Sequence, residues 1–154
     1  MDTCKLDFDF SHLQMSRSCS VTGSIWWRFA DKTFPEAGWN DFPIVILEWW
    51  GSSILRLLNR ISDQETLSFM DGPFALRLQI QGTDMVKVSS LQLRKQSTHT
   101  SDEGMHQLSR LASEISRAGH DALSWMPVEG AENPDSLRLQ ATLSSLDTEI
   151  GTKK

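Results

Sequence analysis

The chain has 154 residues, a formal net charge of −5, 39% hydrophobic and 23% charged residues. That length suits one domain with a proper core, residues 1–154, with 152–154 as a disordered tail. The acidic balance argues against a nucleic-acid partner, whose phosphates call for Lys and Arg, and suits a basic protein partner. No apolar run reaches the length of a membrane span, and the N-terminus lacks a basic region followed by an apolar one, so the expected location is the cytoplasm.

In chain order, Leu6, Phe8 and Phe10 alternate with Asp7 and Asp9, the pattern of a half-buried strand. A polar loop is expected over residues 12–18. The next strand puts Val21, Ile25, Trp27 and Phe29 on one side and Thr22, Ser24, Trp26 and Arg28 on the other. Paired as a hairpin, these strands place Cys4 opposite the far end of the second one, out of disulfide reach of Cys19. Free thiols agree with a reducing compartment.

Residues 39–61 hold three of the six tryptophans and the densest run of large aliphatics. Asn40 and Asp41 are capping residues and Pro43 suits a first turn, so the stretch reads as a helix. Ile44, Ile46, Leu47, Trp50, Ile54, Leu55, Leu57, Leu58 and Ile61 make its apolar face. Glu48, Ser52, Ser53, Arg56, Asn59 and Arg60 make the other, with Val45 and Trp49 among them. A strand over residues 44–50 is the competing reading.

A short strand follows with Leu67 and Phe69 inward, then the turn signal Asp71-Gly72-Pro73. Phe74, Leu76, Leu78 and Ile80 alternate cleanly, Gly82-Thr83-Asp84 turns the chain, and residues 85–94 return. Val86 and Val88 run out of phase with Leu91 and Leu93, which suggests a bulge at Ser89-Ser90. Residues 95–101 read as a loop. A second helix is expected from about Asp102, its stripe running through Met105, Leu108, Leu111, Ala112, Ile115, Ala118, Ala122 and Met126. Gly119 on that stripe marks close packing or a break. Pro127 stops the pattern, residues 128–132 form a loop, and Asn133-Pro134-Asp135 starts a last helix through Leu139, Leu143, Leu146 and Ile150. The order is β-β-α-β-β-β-α-α. The strand faces opposite the core are polar, which implies an α+β fold: an antiparallel sheet of about five strands with helices on one face.

The chemistry-bearing residues form no established motif. His99, Asp102, Glu103 and His106 lack metal-ligand spacing and read as a solvated helix start, with His106 toward solvent. Cys4 and Cys19, with His12 as a base, lack a local positive cluster to activate a thiol. There is no nucleophile elbow, phosphate loop or dinucleotide fingerprint. No catalytic residue, cofactor or metal is therefore assigned. Asp7 and Asp9 share a strand face, an arrangement compatible with acid–base work but ordinary for a solvated sheet.

What remains is aromatic exposure. Trp27 and Trp50 fall on core faces. Trp26 lies beside Arg28 on the polar sheet face, with Asp7 and Asp9 opposite. Trp49 lies on the polar helix face with Arg56 and Arg60. Trp and Arg concentrate binding energy at protein interfaces, so these are two alternative partner-binding faces.

The segments Phe34-Pro35-Glu36-Ala37-Gly38-Trp39-Asn40-Asp41-Phe42, Trp49-Trp50 and Phe69-Met70-Asp71-Gly72-Pro73-Phe74 resemble a group of small, mostly uncharacterised bacterial proteins that includes immunity proteins of polymorphic toxin systems. The resemblance spans residues 20–95 and carries no catalytic signature. It implies a non-enzymatic inhibitor that occludes a cognate toxin. The alternatives are an enzyme scattered over Asp7, Asp9 and His12, and an oligomeric or regulatory module that binds a small ligand between sheet and helices.

Overall fold

A computed structural model describes residues 4–15, 21–95, 97–126 and 133–152, the side chains of 12–15 and 152 excepted. Cys19, the His12 side chain, the loop over 128–132 and residues 153–154 lie outside the described set. The elements are β1 (Cys4–Met15), β2 (Val21–Phe29), β3 (Lys32–Phe34), β4 (Asn40–Asp41), α1 (Pro43–Leu58), β5 (Gln64–Ser68), β6 (Phe74–Ile80), β7 (Met85–Leu93), β8 (Thr98–Gln107), α2 (Leu108–Ser124) and α3 (Pro134–Thr152). The α+β class and the antiparallel pairing are as the alternation implied. The strands divide between two four-stranded sheets: sheet A, β1-β2-β3 with β4 also on β2, and sheet B, β5-β6-β7-β8.

Alternation along β2 buries Val21, Ile25 and Trp27 and turns Ser24, Trp26 and Arg28 outward. The same rule buries Leu76, Leu78, Val86 and Val88 in sheet B. The inner faces of both sheets meet α1 in one contiguous core. Trp50 of α1 lies 5.7 Å from Trp27 of sheet A, and its Nε1 donates to the Ser68 carbonyl of β5 at 2.8 Å. One side chain thus ties the helix to both sheets.

The α1 stripe from Ile44 to Leu58 is buried as its period required, Leu55 only in part, but the helix stops earlier than the stripe. Arg60 takes φ +55°, its N–H bonds Leu57 O, and the Ile61 N–H reaches back to Arg56 O. This is the left-handed stop usually given to Gly or Asn. Ile61 is left 73% exposed beyond it. Asp41 also differs from expectation. Phe42 is the N-cap and no side chain caps α1. The Asp41 carboxylate is fully buried and accepts from Phe42 N–H, Trp39 Nε1–H, Met70 N–H and Asp71 N–H at 2.7–3.3 Å. Trp39 covers Gly72, whose φ of +85° would strain any side chain and whose added Cβ would stand 3.0 Å from the indole.

The largest correction concerns residues 98–107. They form β8, not a loop and the start of a helix. His106 consequently points inward, is buried and meets the Phe29 ring at 4.9 Å. The bulge falls on β8: Ser90 pairs Asp102 and Leu91 pairs Thr100, which leaves Ser101 as the extra residue. Helix α2 therefore begins at Leu108, where Asp84 of the β6–β7 turn supplies its cap by accepting from the Leu108 and Ser109 N–H groups. Residues 12–15, expected in a loop, extend β1, with a register shift between Asp9 and Gln14.

Helix α3 lies in the groove between α1 and α2. Two glycines make the seat. A Cβ on Gly51 would stand 2.7 Å from Thr142 Cγ2, and one on Gly119 2.7 Å from Leu143 Cδ2. Gly119 thus marks close packing inside one continuous helix.

Candidate functional site

The two expected binding faces fare differently. On sheet A the outward residues of adjacent strands stand side by side: Lys5 opposite Arg28, Asp7 opposite Trp26, Asp9 opposite Ser24, and Thr33 and Asn40 on the far side. Arg28 reaches diagonally across to Asp7 with Nε at 2.8 Å and Nη2 at 3.3 Å. Trp26 is half-buried beside this two-pronged pair. Asp9 accepts from the Ser11 N–H and hydroxyl. Trp26, Arg28, Asp7 and Asp9 are therefore gathered on one open face. An exposed ion pair contributes little stability, about 0 to 1 kcal/mol. Its effect here is to hold the guanidinium in one orientation beside the indole.

The helix face is not gathered in the same way. Trp49 is exposed on α1. Arg56 is turned to Glu65 of β5 at 2.8 Å and to the Ser53 hydroxyl at 3.0 Å. The Arg56 guanidinium, with Ser62 and Ser53, outweighs the opposing effect of burial and holds the Glu65 carboxyl below the usual carboxylate range. Arg60 donates to the carbonyls of Gly82 and Thr83 and so fastens the helix stop to the β6–β7 turn. Both arginines are engaged within the fold, and Trp49 stands without them.

Sequence reasoning missed a second polar constellation, along the outer edge of β1. Glu114 of α2 is buried and accepts the Leu6 N–H at 2.9 Å. Arg117 donates to the Leu6 carbonyl at 2.6 Å, pairs with Glu114 at 3.0 Å and lies over the Phe8 ring. Arg110 donates to the Cys4 carbonyl at 3.2 Å. Burial pushes Glu114 upward, but the Arg117 guanidinium, the Leu6 N–H and Arg110 outweigh it and hold the carboxyl below its usual range. Burial, with the Glu114 charge nearby, drives the Cys4 thiol up to about 12, which makes it inert as a nucleophile. The only sequence signal was the spacing of Arg110, Glu114 and Arg117 on one side of the helical stripe, which resembled an ordinary solvated face.

A cleft of about 650 Å³ lies between the C-terminal ends of α1 and α3, the β6–β7 turn and the start of α2. Leu58 and Ile150 contribute its apolar wall. Arg60, Asp84 and Arg110 on its rim already bond backbone groups or cap α2, so these three charged groups serve the fold. Among the described residues no group of three or more His, Cys, Asp or Glu could hold a metal ion. Of the four ligand-type residues read there, Asp102 pairs with Lys32 at 2.8 Å and His106 is buried. No helix is long and apolar enough to cross a membrane. Comparison with family models, curated proteins and solved structures gives no match.

The segments that carried the bacterial resemblance have a structural task. Phe34, Trp39, Phe69 and Phe74 pack edge to face with ring centroids 5.3–6.4 Å apart. Together with Asp41 they clasp the β3–β4 connector to the β5–β6 turn. They hold sheet A against sheet B.

Proposed function

We propose that this chain is a non-enzymatic, cytoplasmic protein-binding module of bacterial origin, an immunity-type inhibitor that covers the active site or substrate groove of a cognate toxin. The observation that supports this reading is the outer face of sheet A, where Trp26 stands beside an Arg28 already oriented by Asp7. An aromatic and a guanidinium held in place before contact lose little freedom on binding. Lys5 and Arg28 balance Asp7 and Asp9 on this face, while the chain as a whole carries a net charge of −5. That charge would speed encounter with a basic toxin surface. Trp49, Arg56 and Arg60 are the less favoured surface because both arginines are engaged elsewhere.

Co-expression with the product of the gene immediately upstream tests the proposal. The expected result is rescue from toxicity with a stable co-purifying complex. A harmless neighbour with no complex overturns it. Within a complex, Trp26→Ala is expected to weaken affinity about thirtyfold, the order of an interface anchor. A complex that tolerates Trp26→Ala but not Trp49→Ala moves the interface to α1.

A further inference from the structure

We propose that the free edge of β8 docks an extended, basic segment of another protein, which adds to sheet B as a fifth strand. The inference concerns a surface other than the sheet A face and does not rest on the toxin reading.

The backbone sets the geometry. Gln81 N–H bonds Met85 O at 2.8 Å, and Leu93 N–H bonds Pro73 O. The odd residues of β7 therefore spend their backbone groups on β6 and the even ones on β8. Val88 pairs Gly104 and Ser90 pairs Asp102, so these β8 residues bond inward. Glu103 and Met105 then point their N–H and C=O groups away from the sheet. Among the described residues, no side chain bonds the backbone of residues 98–105 on that side. All of residues 98–103 are exposed. Proteins normally blunt such an edge. Here the protection is slight: the strand has a bulge at Ser101 and two acidic residues, but it runs to ten residues with no Pro and no Lys.

Two observations define the occupant. The strand carries Asp102 and Glu103 and no Lys or Arg. Asp31 lies close by, in the β2–β3 turn that Lys32 ties to Asp102. Basic side chains on the outer face of an added strand meet Glu103 across the ladder, while Asp102, on the inner face, is already paired with Lys32. A second copy meets the reverse: the two symmetric registers that use most of the strand set either Asp102 or Glu103 against its own symmetry mate. In addition, Gly104 leaves the inner face of β8 without a side chain beside a cleft of about 150 Å³, where Phe29 and Val88 form an apolar patch among Asp31, Lys32, Ser90, Asp102, Glu103 and His106. An alternate apolar side chain of the incoming strand fits that gap. The segment recognised is thus extended, with basic and aliphatic residues alternating.

The test uses the whole protein, isotopically labelled, and two synthetic octapeptides, one alternating Lys with Val and one alternating Glu with Val. The Lys peptide is expected to shift the amide resonances of Glu103 and Met105 and the Glu peptide to leave them in place. Met105→Pro removes an outward N–H without breaking the ladder to β7, and is expected to weaken binding at least about tenfold. Glu103→Lys, at an exposed site that leaves folding intact, is expected to reverse the preference between the peptides. Absence of shifts at millimolar Lys peptide, equal response to both peptides, or an unchanged preference in Glu103→Lys overturns the proposal. So does a homodimer that Met105→Pro dissolves, which would give the edge to a second copy.

Discussion

β1 and β8 are both outer strands, yet one edge is closed and the other open. β1 hands the N–H and C=O of Leu6 to Glu114 and Arg117, and the C=O of Cys4 to Arg110. β8 has no such cover over residues 98–105 among the described residues. The difference follows from chain order. Helix α2 leaves the end of β8 and packs across β1, so its charged side chains reach the edge it crosses and not the one it departs from. Leu6 and Glu114 are 108 residues apart in sequence. Closure of β1 is thus a tertiary event that needs β1 and α2 docked together.

The most direct way to break the contrast is Glu114→Ala. It leaves the Leu6 N–H unpaired and Arg117 without its partner, and is expected to lower unfolding free energy by about 2 to 3 kcal/mol in urea titrations. Glu103→Ala on the open strand is expected to change it by less than about 0.5 kcal/mol. Equal effects would mean that the β1 edge is no more fastened than the β8 edge.

Next in size is the seat that presses α2 onto β1. Gly119→Ala gains helix propensity of about 1 kcal/mol. Its new methyl meets three atoms of Leu143, Cγ among them, within 3.2 Å. Overpacking of about 1 to 3 kcal/mol should outweigh the gain, giving a net loss by thermal denaturation. Gly51→Ala meets chiefly one methyl of Thr142 and is expected to cost less. The reverse ranking would show that α3 bears on α1 and not on the α2–β1 side.

Acid sharpens the comparison further. The folded Glu114 carboxyl titrates below its ordinary value of 4.5. The unfolded chain therefore takes up the proton first as pH falls. The contribution of Glu114 is complete above the ordinary value and is lost as pH drops through the folded one. Wild-type stability should fall more steeply than that of Glu114→Gln between about pH 6 and pH 3. Glu65 is shifted in the same direction, so some slope remains in the variant.

The fold was legible where burial is one-sided. Leu76, Leu78 and Ile80 alternate because one face of β6 meets the core, and the α1 stripe repeats because one side meets two sheets. β8 was not legible for the same reason inverted. Only His106 of its ten residues is fully buried, so there was no apolar alternation to read. Met105, three residues before Leu108, extended the α2 period by coincidence of spacing. The α1 stop was hidden because Arg60 occupies the left-handed position where Gly is the usual signal. On the candidate surface, the alternation of β1 and β2 was enough to bring Trp26, Arg28, Asp7 and Asp9 together. The engagement of Arg56 and Arg60 depended on where β5 and the β6–β7 turn would fall. Glu114 was hidden as well, since a carboxylate turned to a strand edge reads like one turned to water.

The smallest expected effect isolates a single bond. Amide exchange of Leu6 requires the Glu114 contact to open, whereas the outward amides of Glu103 and Met105 have no such contact. A hydrogen bond to a charged carboxylate, about 1.5 to 3 kcal/mol, slows exchange at least roughly tenfold when opening is local. After correction for neighbouring-residue chemistry, Leu6 should therefore exchange at least about tenfold more slowly than Glu103. Glu114→Gln keeps an acceptor oxygen and should retain part of that protection, while Glu114→Ala should remove it. Slow exchange at Glu103 and Met105 would mean that the β8 edge is covered in solution. A cover that persists on dilution would have to come from the chain itself and would leave no edge for a partner strand. One that disappears on dilution would come from a second copy.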